Sequence, residues 1–314
     1  MKPAILLTGK NGQVGRECER LLCQIGDVTA LDRQQLDLSQ PEEIRRAFQT
    51  FRPTLIVNAA AYTAVDKAET DEDAARSVNS HAAAVIAEEA KKIGASIVHY
   101  STDYVFDGLK DTPYDEDDEP NPASVYGRTK LEAELAIQGS GVPYLIFRTS
   151  WIYATFGRNF LLTILRLAAE KEELRVVSDQ IGAPTWNLQL ATTTARILSR
   201  LYGQGRDAMS DFSGIYHMTA AGGTSWHGFA GAILEEASRA RQDTPWIIRA
   251  TGSKPLMAHK VIAITTEEYP TPAQRPPYSI LSNARLMQTF GIGLLDWRST
   301  LQSAFAGAGN GFGV

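Results

Sequence analysis

Cysteine is nearly missing from this chain: 314 residues hold two, Cys18 and Cys23. Five positions apart, they share no helical face, and no histidine or further cysteine is grouped beside them. Neither a disulfide framework nor a thiolate metal site is therefore expected. Both read as buried structural thiols in a reducing compartment, which makes a cytoplasmic location the expectation. Long apolar runs are missing as well. The opening MKPAILLTGK carries an apolar stretch too short for a signal peptide or a membrane span. There is no excess of positive charge either: 31 Lys and Arg against 36 Asp and Glu leave a net charge of -5. Neither nucleic acid nor a membrane surface is expected as a partner, and a phosphorylated ligand would need a local cradle. The five histidines (His81, His99, His217, His227 and His259) are scattered without ligand spacing. No metal is expected from them, and His99 is expected to pack inside a strand. The acidic run Asp115-Glu116-Asp117-Asp118-Glu119 reads as a solvated loop before Pro120.

What is present is an alternation. Short apolar runs at 4–7, 28–31, 54–57, 96–100 and 144–147 are separated by amphipathic or Ala-rich stretches at 13–24, 41–50, 71–93 and 126–138. Buried strands alternating with helices predict right-handed crossovers and a doubly wound parallel sheet, an α/β Rossmann fold. Beyond residue 150 the alternation weakens, although a helix over 187–202 and a strand over 214–219 could return to the sheet. The expected division is a dinucleotide-binding domain over 1–150, rejoined by roughly 186–220. A smaller mixed α/β substrate-binding domain is expected from 151–185 and 221–314. The Pro-rich stretch from Tyr269 to Pro277 reads as an ordered loop over a cleft.

In such sheets ligands bind beyond the carboxyl ends of the strands. At the end of the first strand stand Gly9, Gly12 and Gly15, spaced G-x-x-G-x-x-G around Gln13 and Val14. Glycines there allow backbone to approach a pyrophosphate at a helix start, where exposed N–H groups suit its charge. Asp32 closes the second strand and can accept from ribose hydroxyls, while the adjacent Arg33 could offset its repulsion of a 2′-phosphate. NAD and NADP stay equally open on this ground. Small residues at Asn58-Ala59-Ala60-Ala61 would let a flat ring lie against the backbone.

Of eleven tyrosines only Tyr126 has a lysine four residues on, Lys130. The pair shares one helical face directly before the fifth strand, and the fourth strand ends in Ser101-Thr102-Asp103. Carbonyl reduction needs a proton for the developing alkoxide. A phenol is protonated at neutral pH but sluggish. An ammonium about 5 Å away, at effective ε near 20, should favour the tyrosinate by about 3 kcal/mol. Tyr126 is thus the expected acid, Lys130 its activator and Thr102 the hydroxyl that holds the carbonyl oxygen. Trp151, at the end of the fifth strand, could give a deoxy sugar an apolar wall.

Several longer words make a resemblance specific. They are the Gly9–Gly15 loop, NAAAYTAVDKAE from Asn58 to Glu69, STDYVFDG from Ser101 to Gly108, YGRTK from Tyr126 to Lys130 and RTSW from Arg148 to Trp151. Asn159-Phe160 and DQIGAPT from Asp179 to Thr185 complete the set. Across most of its length the chain resembles the dTDP-4-dehydrorhamnose reductases (dTDP-L-rhamnose synthases), which are extended short-chain dehydrogenases/reductases. The resemblance implies reduction of dTDP-4-dehydro-β-L-rhamnose at C4 by NADPH or NADH, the last step to dTDP-β-L-rhamnose. It implies Thr102, Tyr126 and Lys130 as the catalytic triad, with Asp103 and Trp151 against the sugar and Tyr104, Phe106 and Asn159 in the same substrate set. Implied cofactor contacts are Gly9, Gly12, Gln13, Val14, Gly15, Asp32, Arg33, Asp37, Leu38, Ala60, Ala61, Tyr62 and Thr63, besides Tyr126 and Lys130. Some relatives form dimers bridged by magnesium through acidic side chains. The matching positions here are Glu17, Gln189 and Asp296, and the neutral amide of Gln189 weighs against the ion. Monomer and homodimer both stay open. Another nucleotide-sugar reductase or epimerase on the same scaffold is the enzyme alternative. A regulatory subunit, like a relative that serves methionine adenosyltransferase, is the non-catalytic one; retention of the whole triad speaks against it.

Overall fold

The computed structural model describes residues 2–205, 208–241 and 243–307. Its first half follows from the alternation. Strand β1 (Ala4–Thr8) leads into α1 (Gln13–Leu22), β2 (Asp27–Leu31), α2 (Pro41–Phe51) and β3 (Leu55–Asn58). Helix α3 (Ala82–Ile93), β4 (Ser96–Thr102), α4 (Val125–Ser140) and β5 (Tyr144–Thr149) continue the pattern. Helix α5 (Asn187–Gln204) then precedes β6 (Gly214–His217). The six strands form one sheet in the order β6-β5-β4-β3-β1-β2, every pair parallel. β3 and β4 are buried along their whole length, as a sheet covered on both faces requires. One face packs α1 and α5 around Leu7, Leu21, Leu145 and Leu198. The other packs α2, α3 and α4 around Leu6, Ile56, Ile86 and Ile137.

The remaining chain adds helices Phe160–Ala168, Trp226–Arg239 and Trp297–Phe305, with a parallel strand pair joining Glu173–Val177 to Lys260–Ile264. Their apolar side chains, Phe229, Ile233 and Leu301 among them, extend the first core without a break. The Pro-rich strap reaches back across the molecule. Arg275 holds Asp66 through two bonds of 2.8 and 3.0 Å, and Ile181 donates its backbone N–H to the Pro277 carbonyl and accepts that of Ser279, each at 2.8 Å.

Three expectations are corrected. The Ala-rich stretch 71–93 is not one helix. After Glu72–Arg76 it widens into a π-helical turn over Ser77–His81 before α3 begins. That extra residue turns the amide of Asn79 inward, where it meets Tyr62 and Thr129. Cys18 is buried beside Tyr100, and burial pushes its thiol up to about 12. Cys23 is exposed, because α1 ends at Leu22 and the chain turns outward. The acidic run is not uniformly solvated. Glu116 is buried and accepts the His217 backbone N–H at 2.7 Å, tying the loop to β6.

Candidate active site

Beyond β1, β2 and β3 lies a cleft of about 910 Å³. Its lining includes Gly9, Gly12, Gln13 and Val14 from the glycine loop, Asp32, Arg33, Asp37 and Leu38 from the end of β2, and Ala60, Ala61, Tyr62 and Thr63 after β3. Whether a dinucleotide fits is a question for the loop backbone. Gly9 sits at φ +72°, and a Cβ there would stand 2.8 Å from the Ala60 backbone. The Gly12 N–H donates to the Gly9 carbonyl at 2.8 Å, and a Cβ on Gly15 would collide with that same carbonyl. Gly15 is buried and absent from the lining; it lets α1 start close behind the loop. The loop is thus folded on itself and bare of side chains where a pyrophosphate needs backbone, so the cradle fits a dinucleotide. Asp32 is fixed by the N–H groups of Gln34 and Gln35 and by Asn11. Arg33 extends outward and pairs with Asp37 at 3.8 Å, while Lys10 lies 3.8 Å from Asp32. Both signs of charge therefore border the adenosine end. The Ser39 backbone N–H holds the Asp37 carboxyl below the usual carboxylate range.

At the next strand end β4 stops at Thr102, whose hydroxyl caps a short 3₁₀ turn over Asp103–Val105. Ser124 caps α4, which begins at Val125 and sets Tyr126 in its first turn. The Thr102 hydroxyl, which donates to Asp103 at 3.0 Å, stands near the Tyr126 hydroxyl, and the Tyr104 ring stands edge-on to Tyr126 with centroids 5.6 Å apart. One turn along, Lys130 is 1% exposed and donates to the Tyr100 carbonyl at 2.5 Å, with the His99 ring nitrogen 3.0 Å away. The expected electrostatics are corrected here. Burial pushes the Tyr126 phenol up to about 12, with Thr102 pulling the other way, and the Lys130 amine is turned to the β4 backbone. Burial pushes Lys130 down to about 8, against the opposing charge of Glu134. The phenol is therefore held firmly protonated, and the ionisation nearest neutrality belongs to the amine.

Asp103 is 2% exposed. Its Oδ1 accepts from Thr102 at 3.0 Å and its Oδ2 makes no bond among the described residues. Burial pushes the carboxyl up to about 6, offset by the nearby hydroxyls of Ser279 and Thr102. Trp151 leaves β5 in the left-handed region at φ 45°, a strained backbone for so large a side chain. Its ring stacks on Trp226 at 3.4 Å, and a Cβ on Gly182 would drive into it. Trp226 is tied to Gln180 at 3.2 Å and tilts against Phe160.

Two residues of the substrate set stand elsewhere. Phe106 is 1% exposed, stacked on Tyr114 at 4.2 Å and covered by Arg148 and His217; it is core, because the turn after Val105 points it inward. The Asn159 oxygen caps the helix at Phe160, and its amide nitrogen donates to Gln13 at 3.0 Å, which places it on the dinucleotide side. Glu17, Gln189 and Asp296 form no common ligand set. Glu17 pairs with Arg20, Gln189 donates to the Leu295 carbonyl, and Asp296 caps the helix that starts at Trp297. No group of three His, Cys, Asp or Glu fit to hold a metal occurs among the described residues. Sequence reasoning missed Asn79, Arg275 and Trp226, and it treated His99 as packing only. An inward polar residue in an Ala-rich helix was the one available signal for Asn79.

A glycine cradle at the first strand end beside a hydroxyl–phenol–amine site at the fourth defines a class: nicotinamide dinucleotide-dependent reductases of the extended short-chain type. The comparisons narrow it. The family model described as the RmlD substrate binding domain matches residues 1–309. A dTDP-4-dehydrorhamnose reductase of Burkholderia thailandensis is 49% identical over 295 residues, covering 94% of this chain and 95% of its own. One from Escherichia coli is 43% identical over 300 residues, covering 94% of each. The crystal structure of dTDP-4-dehydrorhamnose reductase from Bacillus anthracis in complex with NADP superposes with a TM-score of 0.85. It is 32% identical and covers 98% of this chain and 100% of that one. The chain belongs to this family, that of the dTDP-4-dehydrorhamnose reductases.

Proposed function

We propose that this chain reduces the C4 keto group of dTDP-4-dehydro-β-L-rhamnose to give dTDP-β-L-rhamnose, with NADPH or NADH. The observation that carries the reading is the pairing of Thr102, buried at the end of β4, with the half-buried Tyr126 in the first turn of α4, one helical turn from Lys130 and next to the glycine-cradled cleft. A reduced nicotinamide bound in that cleft supplies the hydride. The protein supplies the rest. Thr102 holds the carbonyl oxygen in line, and Tyr126 gives its proton to that oxygen as the alkoxide forms. A phenol held near 12 does not lose its proton beforehand. Lys130, turned to the Tyr100 carbonyl one helical turn away, adds in its charged form a positive charge that favours the tyrosinate left until solvent restores the proton. The unpartnered Asp103 oxygen accepts a sugar hydroxyl, and the Trp151–Trp226 stack gives the 6-deoxy edge an apolar wall.

The cofactor contacts proposed are the cleft residues named above, with Gly15 acting from behind the loop. The division into a dinucleotide-binding part and a substrate-binding part is likewise a proposal. It is supported by the return of β6 to the sheet and by the separate strand pair at 173–177 and 260–264. No helix among the described residues is long and apolar enough to cross a membrane. The direct test mixes the protein with freshly made dTDP-4-dehydrorhamnose and follows the absorbance of NADH and NADPH in separate runs. Consumption of either, with dTDP-rhamnose as product, is expected; consumption of neither overturns the reading.

A further inference from the structure

Three residues stand abreast on neighbouring strands, Thr8 and Asn58 at the carboxyl ends of β1 and β3 and His99 midway along β4: Thr8 opposite Asn58, and Asn58 opposite His99. Two positions earlier on the same face the row is Leu6, Ile56 and Ile97, all apolar and packed in the core. The polar row is equally buried, at 1–3% exposure. Such burial is costly unless every group finds a partner. The row does so as a chain of contacts. The Thr8 hydroxyl donates to Asn58 Oδ1 at 2.6 Å, Asn58 Nδ2 lies 3.1 Å from His99 Nδ1, and His99 Nε2 lies 3.0 Å from Lys130 Nζ. Thr8 and Ala60, whose N–H reaches the Thr8 oxygen at 3.4 Å, line the dinucleotide cleft. The row therefore runs from the cofactor cradle to the catalytic amine.

Its protons can be counted. Burial, with the Lys130 charge, holds the His99 ring neutral, so it has one N–H and one lone pair. An ammonium can only donate. With Lys130 charged, Nε2 must accept, the proton must sit on Nδ1, and Asn58 must present its oxygen to the ring. With Lys130 neutral the pattern reverses: Nε2–H donates to the amine, Asn58 presents its NH₂, and its oxygen takes the Thr8 hydroxyl, which is how the amide stands in this structure; the charged form turns the amide over, and its NH₂ then donates to the Thr8 oxygen. We propose that His99, braced by Asn58, is a positioning residue for Lys130. It fixes the amine on β4 and links its charge to the hydroxyl at the cofactor cradle. The catalytic relevance rests on the reduction proposed above; the linkage itself does not. Other groups around Lys130 are Glu134 and Tyr126 on its own helix, Asp103 on the turn after β4, and Arg148 on β5, which is paired with Glu134. From the π-helical turn, Asn79 reaches Thr129. None of these changes in the variants below.

The test is a pH titration of carbon-13-labelled lysine in the full-length protein by NMR. Lys130 is assigned from Lys130→Arg, and nitrogen-15 spectra read the His99 tautomer. The wild-type midpoint is expected near 8, with the His99 proton on Nδ1 below it. His99→Leu removes the acceptor and should lower the midpoint by about one pH unit. His99→Gln, whose amide oxygen can accept, should restore most of it. Asn58→Asp locks Nδ1–H and adds a negative charge, so it should raise the midpoint by about one unit. The alkaline limb of kcat should move with each midpoint, while the KM for the dinucleotide stays within about threefold. Midpoints that stay put, shifts of the same sign in His99→Leu and Asn58→Asp, or a proton on Nε2 while Lys130 is charged would each overturn the proposal. If His99→Leu fails to fold, Asn58→Asp and the tautomer decide. Because the titration needs no substrate, a wild type that titrates as expected but turns nothing over sinks the proposed reaction and leaves the linkage intact.

Discussion

At the scale of single residues, the proposed reaction draws on two side chains at opposite energetic signs. Burial stabilises the protonated phenol of Tyr126, which is the form the reaction needs. Burial also raises Asp103 to about 6, and there the form needed to accept a sugar hydroxyl is the disfavoured one. A carboxyl whose pKa rises on folding costs nothing below pH 4. Its penalty grows between 4 and 6 and is complete above that, about 3 kcal/mol for a shift of this size. Asp103→Asn should therefore raise the melting temperature at pH 8, with the gain shrinking through pH 5 and vanishing below pH 4, and should lower activity throughout. Paired thermal scans across that range check it; a variant less stable at pH 8 than at pH 5, relative to wild type, contradicts the sign. Lys130 sets the other limb. Its pKa is depressed to about 8, so a rate that depends on the ammonium should fall as pH rises through 8. That Tyr126 and Lys130 share one helix was legible because they lie four residues apart. The partners of Lys130 were not, because His99 and the Tyr100 carbonyl come from a strand 30 residues earlier in the chain.

At the scale of elements, α4 is held in place by a buried ion pair. Glu134 receives both the Nε and an Nη of Arg148 from β5, at 3.0 and 2.7 Å, with 0% and 2% of their side chains exposed. Glu134→Gln would strand a buried guanidinium and should cost about 3–5 kcal/mol in urea unfolding. A loss within 1 kcal/mol would mean that water reaches the pair. The other brace is Asn79, whose amide bonds both the Tyr62 backbone and Thr129 on α4. Asn79→Ala should cost about 1–3 kcal/mol and weaken dinucleotide binding through the Tyr62 loop, which isothermal titration would show. The parallel strands and most helices could be read from apolar runs alternating with amphipathic or Ala-rich stretches. The π turn could not, since helix periodicity does not distinguish one extra residue in an Ala-rich stretch. Phe106 illustrates the same limit. It sits in a word shared with substrate contacts, yet the backbone turn decides which way its ring faces, and it faces the core.

At the scale of the whole molecule, the site is assembled from both ends of the chain. The strap between Tyr269 and Ser279 ties back to the segment after β3 through Arg275 and Asp66, and sets Ser279 near Asp103. Arg275→Leu should raise the KM for the nucleotide sugar several-fold and leave dinucleotide affinity within about twofold. Equal losses for both ligands would show that the strap supports the fold alone. The sequence placed this stretch over a cleft from its prolines. It did not disclose the ion pair, because 209 residues separate its partners.

The account stands most directly on single-turnover oxidation of the nicotinamide, in the presence of dTDP-4-dehydrorhamnose, by wild type and Tyr126→Phe side by side. Removing one hydroxyl while keeping the ring should slow the step about 10²–10⁴-fold and leave dinucleotide affinity unchanged. A Phe variant that turns over as fast as wild type would show that the proton comes from elsewhere.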